Sequence, residues 1–343
     1  MENFQNILDA FVNNVDVYRV ESFGSGLIHK TYVVEKDNEK VFILQEVNKA
    51  VFKWPEIIAD NVNLLSNWLI KTNSDTILPS PLKTKDNKDF HLQKGIHYRL
   101  IPFVKGSHSI NVCDEPDQAY EAAKQFGNFT ASFRYFDVHQ LKPSIIDFHN
   151  LTFRWNQFRD ALKNGNQERI RQTKSIITKM EDEYNIVAFY EKILASGSFK
   201  SRVTHHDTKI SNVLYNHSNK GVCVIDLDTV MPGYFISDLG DMFRTYLSPA
   251  NEEETDVGLV EARREYYLAI VEGYKEKMSD QMTEDELEHF QYAGDFMIYM
   301  QALRFFTDYL NDDKYYHINN PENNLHRTIN QLKLLESFRA IVS

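Results

Sequence analysis

At 343 residues the chain is too long for one core of ordinary size and is expected to divide into two lobes. Its 42% hydrophobic and 25% charged residues, with 23 Phe and 18 Tyr, can fill a buried core and exclude a largely disordered chain. A formal net charge of −11, from 49 acidic and 38 basic residues, argues against attraction to nucleic-acid phosphates.

In chain order, Phe4, Ile7, Leu8, Phe11 and Val15 recur at helical spacing and predict an opening amphipathic helix. The N-terminus, Met1-Glu2-Asn3-Phe4, lacks the basic and apolar regions of a secretory leader. β-rich runs at 18–23 and 31–35 flank the turn Gly24-Ser25-Gly26, and a polar turn leads to a third run at 41–45. That pattern predicts a three-stranded antiparallel meander. Pro55 suits the first turn of a helix continued by Ile57, Ile58, Val62, Leu64 and Leu65. Further strands are predicted at 89–92 and 97–101. Strand, strand, strand, helix, strand, strand is the order of the smaller lobe of a protein kinase.

Residues 102–106 then read as a hinge between an N-terminal lobe, 1–101, and a larger lobe, 107–343. Helices are predicted at 119–133, 151–162, 168–194, 256–277 and 284–310, with short strands at 202–204, 213–215 and 222–225. The expected fold is therefore α+β: two-lobed and protein-kinase-like, with a small antiparallel sheet and one helix beside a mostly helical second lobe. The 2 cysteines, Cys113 and Cys223, form neither a disulfide framework nor a zinc pattern. No apolar stretch is long enough to span a bilayer. A cytoplasmic location fits these features.

The chemistry concentrates in His205-His206-Asp207-Thr208-Lys209-Ile210-Ser211-Asn212 and, after it, Val224-Ile225-Asp226-Leu227-Asp228. Phosphoryl transfer from ATP needs a carboxylate to orient the attacking hydroxyl and take its proton, which Asp207 can supply. It needs hard oxygen ligands for Mg2+, and Asn212 and Asp226 offer an amide oxygen and a carboxylate. A cation near the moving phosphoryl group is available in Lys209. The kinase catalytic loop spaces its Asp and Asn in this way, with the metal-binding Asp on the strand pair that follows.

These segments, with Asp226-Leu227-Asp228-Thr229-Val230-Met231-Pro232-Gly233 and Ser237-Asp238-Leu239-Gly240-Asp241, resemble the aminoglycoside phosphotransferase and choline kinase superfamily. Within it the wording most resembles the N-acetylhexosamine 1-kinases, as do Gly24-Ser25-Gly26-Leu27-Ile28, Ile43-Leu44-Gln45, Val51-Phe52-Lys53 and 304–310. The resemblance implies that Asp207 is the catalytic base, that Asn212 and Asp226 bind magnesium, and that Asp228 holds a second metal or touches the substrate. It implies that Gly24, Ser25 and Gly26 turn over the ATP phosphates, that Gln45 lies beside them, and that the backbone of Pro102, Phe103 and Val104 faces adenine. His205 and Asp238 would support the loop. A small-molecule acceptor follows, a sugar and foremost an N-acetylhexosamine, giving a sugar 1-phosphate. Arg304 and Asp308 lie four apart on one helix face, where an ion pair or a sugar contact is expected. Tyr315, His317 and His29 are further candidates for the acceptor site.

One departure stands out. A kinase-like third strand ends in a Lys that binds the α- and β-phosphates and pairs with a helix Glu, but here that position is Gln45. Glu56 is the natural helix candidate, and Lys30 is one replacement cation. Amino-alcohol and aminoglycoside kinases, and a kinase-shaped binding module without turnover, remain open alternatives. A P-loop kinase is excluded because no Gly-x-x-x-x-Gly-Lys-Ser/Thr occurs. A His-Asp phosphohydrolase is disfavoured because His206 and Asp207 follow a strand rather than sit on a helix.

Overall fold

The computed structural model describes residues 4–24 and 28–343, so the predicted turn residues Ser25 and Gly26 lie outside the described residues. Helix α1 (Phe4–Asp9) stops well before Val15, and Asn14, at φ 56°, redirects the chain into the sheet. The strands are β1 (Tyr18–Ser22), β2 (Lys30–Lys36), β3 (Glu39–Glu46), β4 (His91–Gln93) and β5 (Ile96–Pro102). They pair antiparallel in the order β1-β2-β3-β5-β4. Alternation along a strand then divides labour between the two faces. Val34, Leu44, Tyr98 and Leu100 close a small core with Ile7, Leu8 and Phe11. Ile43, Gln45, Arg99 and Ile101 face the interlobe cleft instead.

Helix α2 (Pro55–Lys71) begins with Pro55 in its first turn, as predicted. It joins the larger core rather than the sheet's, through Ile58, Val62, Leu65 and Leu69. Its buried Asn61 donates to the carbonyls of Lys142 (2.8 Å) and Val230 (3.0 Å) and accepts from the Lys142 amide (3.0 Å). The small lobe's helix is thus bolted to the large lobe. This has consequences at the site.

The large lobe contains β6 (Ser107–Ser109), α3 (Pro116–Ser132), α4 (Leu151–Asn164), α5 (Gln167–Gln172), α6 (Lys174–Asp182) and α7 (Tyr184–Ser196). Strands β7 (Arg202–Thr204), β8 (Val213–Asn216), β9 (Gly221–Val224) and β10 (Met231–Gly233) follow, then α8 (Phe235–Tyr246) and α9 (Arg264–Met278). Helices α10 (Glu284–Glu288), α11 (Tyr292–Leu310) and α12 (Asn323–Val342) complete it. Helix α11 is the central rod, with Phe296 to Met300 buried without a break, as expected of a helix packed on all sides.

Two predicted helices divide and a third starts late. The 168–194 span is α5, α6 and α7, interrupted at Thr173, whose hydroxyl donates back to the Arg169 carbonyl (2.7 Å), and at Glu183. The 284–310 span breaks between α10 and α11, and α9 starts later than 256. Helices α8 and α12 were not predicted at all. Helix α12 buries Asn324, Arg327, Asn330 and Gln331 beside Leu334 and Leu335, so its sequence carries no clean apolar stripe. Among the described residues no helix is long and apolar enough to cross a membrane.

Candidate active site

The loop 205–212 joins β7 to β8, and two small sheets frame it. Strands β8 and β9 form a hairpin in which Val213 faces Val224. Asn212 enters that hairpin and Asp226 follows its end, held together by the Ile225 amide donating to the Asn212 carbonyl (2.8 Å). Strand β7 pairs with β10, placing Thr204 opposite Met231. The two halves of the motif are also tied directly: the Thr229 hydroxyl donates to the His205 carbonyl (2.7 Å), and His205 Nε2 meets the Ile225 carbonyl (2.9 Å).

Helix α8 braces the loop from behind. Asp238 accepts the backbone amides of His205 (3.0 Å) and His206 (2.7 Å), and Asp241 accepts that of Thr208 (2.8 Å). The Thr208 hydroxyl donates to the Asp238 carbonyl (2.9 Å), and the Tyr246 hydroxyl donates to the Thr208 carbonyl. Helix α8 lies close enough to α11 that a Cβ on Gly240 would stand 2.2 Å from the Ala293 carbonyl oxygen, which explains the glycine between the two bracing aspartates. Burial pushes the Asp238 carboxyl up to about 6, against the pull of His205 and of the two amides. His206 and Asp226 both adopt left-handed backbone, φ 66° and 62°. Such conformations cost about 1–3 kcal/mol for a residue with a side chain and persist where surrounding bonds enforce them.

Asp207 and Lys209 form a pair at 3.1 Å, with the lysine half-exposed. The Asn212 side-chain amide donates to the Asp207 carbonyl (2.9 Å), which leaves its Oδ1 as the free ligand atom. Asp226 has no hydrogen-bond donor among the described residues, and it lines the cleft. The surrounding protein, then Asp228 and Asp207, raise it to about 6. A free amide oxygen beside a crowded carboxylate without a donor suits a divalent cation, so the residues fit a divalent metal.

The cleft holds a cavity of about 420 Å³, within the range of small-ligand sites. Ile43, Ile101, Leu214 and Ile225 line its apolar part, and Pro102, Phe103 and Val104 form one wall. The Phe103 amide donates to the Val41 carbonyl (2.9 Å), whereas the Val104 amide has no backbone acceptor among the described residues. Gln45, Asn212, Asp226 and Asp228 sit at the polar end. Asp207 and Lys209 lie outside this lining, and so does Gly24, at φ 75°.

A residue that the sequence reading missed occupies the same end. Arg99, on β5, is the cross-strand partner of Gln45 and is buried. Its Nε donates to Gln45 Oε1 (2.9 Å), and its two terminal nitrogens grip Asp228, with Nη2 at 2.9 Å from Oδ2. Asp228 also receives His29. The Asn48 amide donates to His29 Nδ1 (3.0 Å), so Nε2 carries the proton and donates to Asp228 Oδ2 (2.5 Å). Although burial alone would raise it, Arg99 and His29 hold the Asp228 carboxyl well below the usual range. Both oxygens of Asp228 are therefore engaged with the small lobe, and His29, a candidate for the acceptor, is committed to it. Lys30 goes to Glu46 (3.2 Å) on the sheet face opposite Gln45. Glu56 stands 3.8 Å from His97 and makes no contact with Gln45 among the described residues. The only hint of Arg99 in sequence was a charged residue inside the apolar run Tyr98-Arg99-Leu100-Ile101.

Arg304 and Asp308 do not form an ion pair with each other among the described residues. Asp308 accepts the backbone amides of Tyr315 (2.8 Å) and Tyr316 (2.9 Å) and an Asn324 side-chain amide (3.0 Å), fixing the loop after α11. Arg304 has no carboxylate partner among the described residues. It donates to Gln301 (3.1 Å) and lies over Phe148, Tyr315 and Tyr316, at 5.6, 6.0 and 5.7 Å from the ring centroids. Tyr315 is 71% exposed. His317 offers its carbonyl to Arg327 (3.2 Å). Phe148 and His149 stack at 4.4 Å, and His149 touches His206, which connects the Arg304 patch to the catalytic loop.

Comparison with known proteins bears on the fold. Among solved structures, an aminoglycoside phosphotransferase from Alicyclobacillus acidocaldarius superposes with a TM-score of 0.67 at 12% identity, over 98% of this chain and 95% of that one. A choline kinase from Cryptosporidium parvum gives 0.61 at 14% identity, over 99% and 95%. Amicoumacin kinase, solved with AMP-PNP, Ca2+ and Ami, gives 0.62 at 13% identity, over 96% and 92%. These likenesses establish the kinase-like fold. Residues 19–276 match the phosphotransferase enzyme family over most of the chain. The chain belongs to that family and is an enzyme that moves a phosphoryl group to a hydroxyl acceptor.

Proposed function

We propose that the protein is a cytoplasmic ATP- and magnesium-dependent kinase that phosphorylates the anomeric hydroxyl of a sugar, most specifically an N-acetylhexosamine. The observation that carries phosphoryl transfer is the convergence of Asp207, Lys209, Asn212 and Asp226 at the ends of one braced hairpin. In this reading Asp207 orients the acceptor hydroxyl and takes its proton as oxygen attacks the γ-phosphorus. Lys209 stabilises charge on the transferred group. Asn212 Oδ1 and Asp226 hold magnesium, which when bound neutralises phosphate charge. Adenine lies against Pro102, Phe103 and Val104, and the turn at Gly24, Ser25 and Gly26 covers the phosphates with its amides.

The sugar assignment rests on the resemblance to N-acetylhexosamine 1-kinases and is supported by charge. Arg304 and Arg154 lie beside His149 without carboxylate partners among the described residues, and together with burial and His206 they help keep that imidazole neutral. A cationic amine acceptor would meet repulsion there. A neutral polyhydroxyl ring could stack on the Phe148 and Tyr315 faces and accept from Arg304. Asp308 is assigned to shaping the loop that carries Tyr315. The test is labelled ATP offered with N-acetylhexosamines, other sugars, amino alcohols and aminoglycosides, with the phosphate position read by NMR. Transfer to amines alone would overturn the sugar reading, and transfer to no acceptor would overturn the kinase reading.

A further inference from the structure

The usual cation–anion pair that grips nucleotide phosphates in a kinase-like fold lies within the small lobe, between a Lys on the third strand and a Glu on the helix. Here neither partner is present. Gln45 holds the strand position, α2 is anchored to the large lobe through Asn61, and Glu56 meets His97 instead. The neighbouring strand nevertheless brings a buried guanidinium to the same end of the cavity. We infer that Arg99 is the cation for the nucleotide phosphates, with Asp228 as its partner in place of the helix Glu, so that the pair is made across the two lobes.

The donor inventory permits this role. A guanidinium has five N–H groups. Gln45 takes the Nε proton and Asp228 takes one from each terminal nitrogen, which leaves two for phosphate oxygens. Gln45 thereby becomes a positioning residue: its Oε1 receives Arg99, while its amide donates to Thr31 (3.2 Å) and fixes the orientation. Asp228, in the large lobe, receives both Arg99 and His29 from the small lobe. Bringing the lobes together therefore aligns the cation and secures the strand that follows the glycine turn. The same contacts remove Asp228 from the metal ligands suggested by sequence.

The inference rests on the site binding nucleotide, and the test separates the two. Binding of ADP and of adenosine is measured by calorimetry on the full chain, once with Mg2+ and once with a chelator. Arg99→Gln and Asp228→Asn should each weaken ADP by about tenfold to a hundredfold, the range of a lost charged hydrogen bond, with adenosine unchanged. The loss should persist in chelator, because it does not pass through the metal. Returning the cation to the third strand, in Gln45→Lys with Arg99→Gln, should recover most of the ADP affinity. That double variant also decides the matter if Arg99→Gln alone does not fold. Arg99→Gln binding ADP like wild type, or losing adenosine and ADP equally, would overturn the inference. So would an Asp228→Asn effect that vanishes in chelator, or a folded double variant no better than Arg99→Gln. Wild type that binds no nucleotide would instead defeat the kinase reading itself.

Discussion

The two ends of the catalytic cleft are built in different ways. The end carrying Asp207 and Asn212 is a short loop whose geometry comes from neighbouring residues, a hairpin and one bracing helix. The end carrying Arg99 and His29 is assembled across the molecule, with both partners meeting Asp228. A motif can encode the first, since a few bonded neighbours fix where each side chain points. The second depends on where two lobes sit, so it can change partners while the chemistry of the loop is preserved. That is why a chain with glutamine at the usual lysine position can keep a complete catalytic loop.

The comparison breaks first at Asp207. Asp207→Asn should lower turnover by about 10²–10⁴-fold, the usual contribution of a positioned acid or base, while ADP binding stays intact. Turnover within tenfold of wild type would take Asp207 out of the chemistry. Next is Lys209→Ala. It removes a preorganised charge, a loss comparable to deleting an oxyanion donor at ~2.7–4 kcal/mol, or a few hundredfold in kcat. A change in the KM for ATP with kcat preserved would place Lys209 in binding instead.

A smaller effect isolates the scaffold from the chemistry. Asp238→Asn leaves the shape but can accept at one oxygen only, so one of the His205 and His206 amides loses its acceptor. The expected cost is about 1–3 kcal/mol of stability, read by denaturant unfolding. The accompanying loss of turnover should be smaller than for Lys209→Ala. If stability is unchanged, the left-handed backbone at His206 is held by something other than Asp238.

These differences match what the sequence could convey. Val203-Thr204 and Val213-Leu214-Tyr215 signal strands, and the Asp207–Lys209–Asn212 spacing between them signals a loop, so this part was legible at once. Arg99 was not, because a charged residue in a strand is more often exposed, and only the pairing of β3 with β5 shows that it lies beside Gln45. Helix α8 hid behind the reading of Asp238 and Asp241 as motif residues, and α12 hid because its buried side is partly amide and guanidinium. The Arg304–Asp308 spacing was read correctly as helical, but the loop after α11 supplies backbone amides that take the carboxylate first.

The smallest expected effect concerns Asp226, a site carboxylate without a donor among the described residues. Its carboxyl is raised to about 6 from an ordinary 3.8, so the folded protein without metal binds more protons than the unfolded chain between those values. Stability of the metal-free protein should therefore fall as pH rises from about 4 to 6, to an extent reduced by water in the open cleft. A divalent ion at Asn212 and Asp226 reverses that penalty and must displace the proton below pH 6. At a tenfold excess over its Kd, Mg2+ should stabilise the protein by about 1.4 kcal/mol at pH 7.5, and by clearly less at pH 5. Thermal unfolding with and without Mg2+ at the two pH values reads this directly. Asp226→Asn should erase the difference. Equal stabilisation at both pH values would mean that the ion binds elsewhere.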